Sequence, residues 1–492
     1  MSAPAVRGLA FGAVLLAAVL TATVRLGTAT WHMDELIYRE AGLGYLRGDF
    51  SAPTGHPPLG PYLYGLAARL GDGRPGAVRV PAALASLGTG LVVFAFGREL
   101  AGFWSGLAAF AIFALQPCTG WAGHERLALR IDRFALLDPL MGFFQMLALW
   151  LGWRWRERGG NDRAAATGVA LGLAATTKLP GLFVAPVIVA AVLLRQGRRA
   201  TLACATFAAT ALATAALVYA PFGLGAPAAI RDMIVFQSTH RANGHPTIVD
   251  GAFYLHPPWW ALLFWEWEGS GTPTVAGLAG AVAASVVAVP RAVRLYLLSA
   301  IAVVFGFLAL VAGIALSHYV DDWQAPLALL AGLALVGLWR RGRTARVVAG
   351  GLAALLGIGV ATTAVRLTQL RPQDYRVAGE TLTRAGLGRA TVVVMGFDTV
   401  AREYLPHATV VNELGPLPDP IDVLVLDPIW ASRWSAPRTT ALLRAGLPDV
   451  AECRFDRLHV YVRTVPRGSA LARRCRRPAA LPPPTPGSPT GF

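Results

Sequence analysis

The chain is 492 residues long, 55% hydrophobic and only 15% charged, and it repeats apolar runs near the length of about 20 residues that spans a bilayer as a helix. This excludes a soluble globular protein. A formal charge of +16 would suit nucleic acid, but many of the arginines fall in short loops between apolar runs, where they set membrane topology.

The first apolar segment, roughly 8–27, follows Arg7 and resembles a signal peptide; its long run and direct passage into an acidic loop favour a retained anchor. Ten more segments are predicted at roughly 77–97, 101–120, 134–152, 164–178, 180–195, 201–221, 270–290, 295–316, 323–339 and 346–366, about eleven membrane helices in all. With the N-terminus inside, alternate loops hold Arg98; Arg154, Arg156, Arg158 and Arg163; Arg195, Arg198 and Arg199; Arg291 and Arg294; and Arg340, Arg341, Arg343 and Arg346. That is the positive-inside pattern. The remaining loops are then extracytoplasmic: 28–76, 121–133, the turn at Lys178, 222–269, 317–322 and everything after 366. Polar residues that topology does not explain gather there, among them Asp34, Glu35, His56, Arg79, Arg133, Asp138, Lys178, His318 and Asp321.

The first of these loops runs through Trp31-His32-Met33-Asp34-Glu35 and on to His56-Pro57-Pro58-Leu59. Adjacent carboxylates at a membrane surface are costly to dip into lipid. They are either solvated interface charges or working groups. A carboxylate beside another, near a low-dielectric surface, is disposed to hold a proton and so to serve as a general base. Arg79 and Arg133 stand at outer helix ends, where they could equally snorkel to headgroups. Lys178 is the single Lys among 44 basic residues. Cations clustered on this side would suit a phosphate. Asp138 could pair with Arg133 or Arg130, and His56 between a turn and two prolines could be incidental.

Loop 222–269 is aromatic, with Trp259, Trp260, Trp265 and Trp267 after His256-Pro257-Pro258. It reads either as an interfacial belt or as a half-inserted wall against a lipid tail. From about 370 the pattern changes. Helices are predicted at Asp374–Ala385, Thr399–Tyr404 and Thr439–Arg444, and strands at Thr391–Met395, Val423–Leu426 and His459–Arg463, an alternation that suggests a small α/β domain. It has no Gly-rich phosphate loop. Cys453 and Cys475 could pair if this part faces an oxidising compartment. Residues 466–492, basic and then Pro-rich, are predicted to be disordered.

Taken together, Asp34-Glu35 with Tyr38, His56-Pro57-Pro58-Leu59, Arg79-Val80-Pro81-Ala82-Ala83-Leu84, Arg133-Phe134-Ala135-Leu136-Leu137-Asp138 and Thr177-Lys178-Leu179-Pro180-Gly181-Leu182-Phe183 resemble, in order and spacing, the protein O-mannosyltransferase-like glycosyltransferases of the GT-C fold, relatives of the bacterial aminoarabinose transferases. His318-Tyr319 is a looser echo of a late motif. The resemblance implies an all-α polytopic GT-C domain over 1–369, an extracytoplasmic α/β domain over 370–465 and the tail 466–492. It implies an inverting transferase in the plasma (inner) membrane that moves a hexose or pentose from a polyprenyl-phosphate donor to an acceptor hydroxyl on a protein or on a cell-envelope glycan or lipid, with no metal or other cofactor. Asp34 would be the base and Glu35 would orient the acceptor or the base. Arg79, Lys178 and Arg133 would hold the donor phosphate. His56, Tyr38 and Asp138 would shape the acceptor loop. The acid and the cations are expected to converge in one outer pocket. Two departures stand out: Gly60-Pro61-Tyr62 replaces a basic residue that many relatives carry, and the large soluble insertion of the eukaryotic enzymes is absent. A flippase or transporter of lipid-linked sugars is the rival reading, weakened by the lack of repeated halves.

Overall fold

The computed structural model describes residues 2–52, 55–118, 130–245, 247–250, 252–412, 416–427, 450–456 and 458–476. The chain divides into two compact units: Met1–Gly27 with Ile37–Leu370, and Thr28–Leu36 with Arg371–Phe492. The helices up to residue 370 are α1 (Ala3–Thr23), α2 (Met33–Tyr45), α3 (Leu59–Leu70), α4 (Pro75–Val78), α5 (Val80–Ala101), α6 (Phe103–Leu115), α7 (Leu137–Arg158), α8 (Asn161–Thr177), α9 (Ala185–Gln196), α10 (Thr201–Tyr219), α11 (Ala226–Asn243), α12 (Ala261–Ser270), α13 (Thr272–Ala288), α14 (Arg291–Gly306), α15 (Asp321–Trp339) and α16 (Arg343–Gln369).

Each of the eleven expected apolar segments holds one of these helices. By length and hydropathy, six helical stretches among the described residues suit a bilayer crossing, or seven if α12 and α13 count as one bent span. That is fewer than eleven for physical reasons. α6 has 13 residues and α8 has 17, short of the roughly 20 that span a bilayer. α7 ends in the charged run Arg154-Trp155-Arg156-Glu157-Arg158, and α9 and α10 fall within one continuous stretch. The chain is a multi-pass membrane protein.

The helices start and stop where their sequence dictates. α5 opens on Val80-Pro81, where proline's missing N–H costs nothing. It ends at Gly102, whose φ of 89° favours glycine. α15 is the central helix of the first unit and packs on α5, α6, α7, α13, α14 and α16. Its first turn carries Asp321 and Asp322, both buried. α2 and α3 touch backbone to backbone: a Cβ on Gly42 would lie 1.9 Å from the Pro61 carbonyl oxygen. α12 meets α13 at a 117° bend. Trp265 on α12 is buried and donates to the Ala315 carbonyl at 3.1 Å, whereas Trp259 and Trp267 are exposed. The aromatic segment is thus anchored at one Trp and open at two.

In the second unit lie helices α17 (Asp374–Leu382) and α18 (Asp398–Tyr404) and strands β3 (Thr391–Met395), β4 (Thr409–Asn412), β5 (Val423–Leu426), β6 (Ala451–Phe455), β7 (Leu458–Val462) and β8 (Cys475–Arg476); a short antiparallel pair, β1 (Thr247–Val249) and β2 (Ala252–Tyr254), belongs to the first unit. The sheet runs in the order β4-β3-β5-β7-β6-β8. β4, β3 and β5 are parallel and the rest antiparallel, a mixed sheet. Val392–Met395 of β3 are fully buried, as a continuous apolar run in a parallel sheet should be. The expected strands 391–395 and 423–426 agree with β3 and β5, and the third is shifted by one residue. The expected helix at 439–444 lies outside the described residues. The sheet extends into the segment expected to be disordered: β8 pairs with β6, and Leu471 ahead of it is buried.

Cys453 and Cys475 form a disulfide across this β6–β8 pair. A cross-link over a 22-residue separation restricts the unfolded chain by an amount worth about 3 kcal/mol. Cys453→Ala is therefore expected to destabilise the second unit by about that much. Limited proteolysis should show earlier cleavage near residues 466–476 than in wild type, and reductant should reproduce the effect.

Candidate active site

Asp34 and Glu35 occupy the first turn of α2, and the local chemistry separates them. The Glu35 carboxylate accepts the His32 backbone N–H at 2.8 Å, and His32 Nδ1 accepts the Asp34 backbone N–H at 3.1 Å. This is a reciprocal capping box with histidine as the cap, satisfying two amides that a helix start leaves without intrahelical partners. Glu35 is fully buried in the process. Asp34 has a side chain 24% exposed, its Oδ2 3.9 Å from His32 Nδ1. Of the two acids, Asp34 is the one open to a substrate.

In the first unit, Tyr38 is buried, with its ring edge-on to His56 at 5.9 Å and stacked on Tyr64 at 6.5 Å. Pro57 and Pro58 are buried, and α3 starts directly after them. The loop motif thus forms a rigid aromatic corner at the entrance to α3.

Arg79 and Arg133 grip the chain just beyond α1. Arg79 donates to the Leu26 carbonyl at 3.0 Å, and Arg133 donates to the Val24 carbonyl. Cations are favoured there because a helix C-terminus is the negative end of its dipole. Arg79 is 1% exposed and lies 4.7 Å from the ring centroid of Phe134, the residue after Arg133. Arg133 is 6% exposed, and its Nη1 has no hydrogen-bond partner among the described residues. Burial pulls the Arg133 pKa down to about 10, with Asp132 opposing the fall and Arg79 and Arg130 adding to it. Asp132 is already engaged: Arg130 holds it at 2.6 Å and the Ser86 hydroxyl donates to it at 2.5 Å. Two buried guanidiniums that repel each other, one with a donor left over, are suited to an anion.

Lys178 is placed differently. Its ammonium donates to Asp138 Oδ1, lies 3.8 Å from Asp322 Oδ2 and sits 3.9 Å over the Tyr319 ring. His318 Nε2 is 4.0 Å from the other oxygen of Asp138. All these groups are buried. The ends of α1, α5, α7, α8 and α15 are thus brought together, and the Asp138 partner is Lys178 rather than an arginine. Sequence reasoning missed the roles of His32 as a cap, of Asp322 as a second carboxylate on Lys178, and of Ser86 on Asp132. The Asp321-Asp322 pair opening an apolar helix was the signal for one of them. Among the described residues no group of three or more His, Cys, Asp or Glu could hold a metal ion.

The model of the dolichyl-phosphate-mannose-protein mannosyltransferase family matches residues 55–224. No curated protein sequence matches the chain. Among solved structures, the chain is similar to ArnT from Cupriavidus metallidurans, at 15% identity and TM-score 0.61 in the apo state, covering 94% of this chain and 99% of that one. The same enzyme bound to undecaprenyl phosphate gives 15% identity and TM-score 0.60, with the same coverage. The archaeal oligosaccharyltransferase AglB from Archaeoglobus fulgidus, in complex with an inhibitory peptide and a dolichol-phosphate, matches at 14% identity and TM-score 0.55, over 95% of this chain and 76% of that one. Residues 55–224 therefore match the dolichyl-phosphate-mannose-protein mannosyltransferase family, and the chain as a whole shares the membrane fold of ArnT.

Proposed function

We propose that the protein transfers a sugar, with inversion, from a polyprenyl phosphate to an acceptor hydroxyl on the extracytoplasmic face of the plasma membrane, all eleven apolar helices crossing the bilayer. The acceptor oxygen attacks the anomeric carbon and its proton passes to the Asp34 carboxylate. The bond from that carbon to the phosphate oxygen breaks on the opposite side. The leaving phosphate gains negative charge, which fixed cations stabilise more in the transition state than in the ground state. Arg79 and Arg133 hold that phosphate. Lys178 holds Asp138 and Asp322 in place beside it. His56 and Tyr38 shape the acceptor side, and the acceptor is a protein or a cell-envelope glycan or lipid.

The observation that carries this reading is the buried Arg133 guanidinium beside Arg79, with one N–H that has no partner among the described residues. A buried donor without a partner costs about 1–3 kcal/mol, more when charged, so an anion there is strongly favoured. The orientation, with the N-terminus in the cytoplasm and residues from 370 outside, is supported by the arginine-rich alternate loops and by the disulfide, a bond of oxidising compartments.

The test has two arms. Membranes containing the protein are given undecaprenyl phosphate linked to radiolabelled mannose or to a labelled pentose, and label is followed into protein, glycan and lipid fractions. Incorporation above that of empty membranes is expected with one donor class; none with either class overturns the transferase reading. For the purified protein, Arg133→Gln and Arg79→Gln should each weaken undecaprenyl phosphate binding on the order of 10- to 100-fold, from the 1.5–3 kcal/mol of a charged hydrogen bond. Unchanged affinity in both removes them from the phosphate site.

A further inference from the structure

The residues just ahead of Asp34 belong to the C-terminal unit by their packing, and this gives that unit a part in the reaction. Thr30 and Trp31 are each only 5% exposed. The Thr30 hydroxyl donates to the Gln373 carbonyl at 2.8 Å, at the start of α17. The Trp31 backbone N–H donates to the Tyr404 hydroxyl at 3.2 Å, at the end of α18. Arg376 on α17 donates to the Thr28 carbonyl at 3.4 Å. α17 and α18 are themselves locked together. A Cβ on Gly379 would lie 2.6 Å from the Tyr404 Cβ, and the Tyr375 hydroxyl accepts the Phe397 N–H at 3.1 Å. Thr28, Thr30 and Trp31 are thus each tied by a hydrogen bond to one of two helices packed on the sheet. The next residue, His32, is the cap that sets the first turn of α2.

We propose that the C-terminal α/β unit is the mount of the general base: Tyr404 and α17 fix the segment leading to His32, and His32 with Glu35 fixes the turn that aims the Asp34 carboxylate. Tyr404, His32 and Glu35 are positioning residues and act through Asp34. The inference rests on the reading of Asp34 as the base. A catalytic group held by a chain segment alone would wander by more than the 1 Å that can cost about 100-fold in rate. Here the segment is short and both its sides are pinned. The residues from 371 onward then serve the reaction through Asp34, and no Gly-rich phosphate loop opens a helix in their sequence.

The experiment measures turnover and undecaprenyl phosphate affinity on the full-length purified protein in four variants. Tyr404→Phe removes the acceptor of the Trp31 N–H, and His32→Ala removes the cap. Each is expected to lower turnover on the order of 10- to 100-fold with undecaprenyl phosphate affinity within about twofold of wild type. His32→Asn, which restores a side-chain cap acceptor, is expected to recover most of the turnover lost in His32→Ala. The fourth variant, Asp34→Asn, separates the two readings. If it is inactive while Tyr404→Phe and His32→Ala turn over like wild type, the mount is overturned and the base stands. If Asp34→Asn remains active, the base reading fails and the mount with it. Equal losses of turnover and of undecaprenyl phosphate affinity in Tyr404→Phe and His32→Ala would indicate general damage to the fold and would also overturn the mount.

Discussion

Asp34→Asn is expected to lower sugar transfer by a factor on the order of 10² to 10⁴, the usual contribution of a general base, while undecaprenyl phosphate binds as in wild type. The amide keeps the shape of the carboxylate but cannot take the acceptor's proton. The folding cost should be small because the helix start does not depend on the Asp34 side chain. His32 and Glu35 supply both caps, and the Asp34 backbone N–H, which the substitution leaves in place, makes the capping contact. The partly exposed carboxylate has room for an amide. Thermal unfolding in detergent should be unchanged, and the assay is transfer of label from the lipid-linked donor. A rival transporter would be indifferent to this change, since moving a lipid-linked sugar abstracts no proton from an acceptor. Asp34→Asn with transfer near wild type would remove the acid from the chemistry.

How far the sequence could be read depends on the range of the interaction involved. Helix positions follow from local apolar runs, which is why a helix lies in every expected segment. Crossing counts depend on lengths and end charges: α6 is shorter than its expected segment 101–120, and α8, though it starts earlier than its expected segment 164–178, still has only 17 residues. β3 and β5 were legible because Val392–Val394 and Val423–Leu426 are unbroken β-branched and leucine runs. β6 was missed although Ala451, Cys453 and Phe455 alternate with Glu452 and Arg454, the period-two signal of a strand with one buried face. β8, two residues long, exists through its pairing with β6 and the Cys453 bond, and no local pattern encodes that. In the candidate site, residue types at helix ends could be read but not their partners. Lys178 was expected to face a phosphate; its nearest anions are Asp138 and Asp322, 40 and 144 positions away along the chain. Arg79 and Arg133 bond backbone carbonyls at Leu26 and Val24, contacts that no side-chain motif records. The capping box at His32 was within reach, since Glu three residues after a capping position is a local signature. Histidine in the place of Ser or Thr hid it.

Lys178→Met is expected to destabilise the protein by about 3–5 kcal/mol, the cost of breaking one partner out of a buried ion pair. Lys178 and Asp138 have side chains 4% and 3% exposed, and Asp322 is fully buried 3.8 Å from the ammonium. Removing the cation leaves two carboxylates facing each other in a low-dielectric interior, with His318 4.0 Å from Asp138. Adding Asp138→Asn to Lys178→Met should recover a good part of the loss, because the second change removes the charge that the first stranded. A Lys178→Arg replacement should not substitute, because the planar guanidinium is larger than the compact ammonium and the Tyr319 ring lies 3.9 Å from that ammonium. The measurement is thermal unfolding of the purified single and double variants, with and without undecaprenyl phosphate. The stability loss should be the same in both conditions if Lys178 belongs to the Asp138–Asp322 cluster throughout. If unfolding is unaffected and undecaprenyl phosphate affinity falls about 100-fold instead, the ammonium is a phosphate ligand, and the work assigned to Arg79 and Arg133 is shared with it.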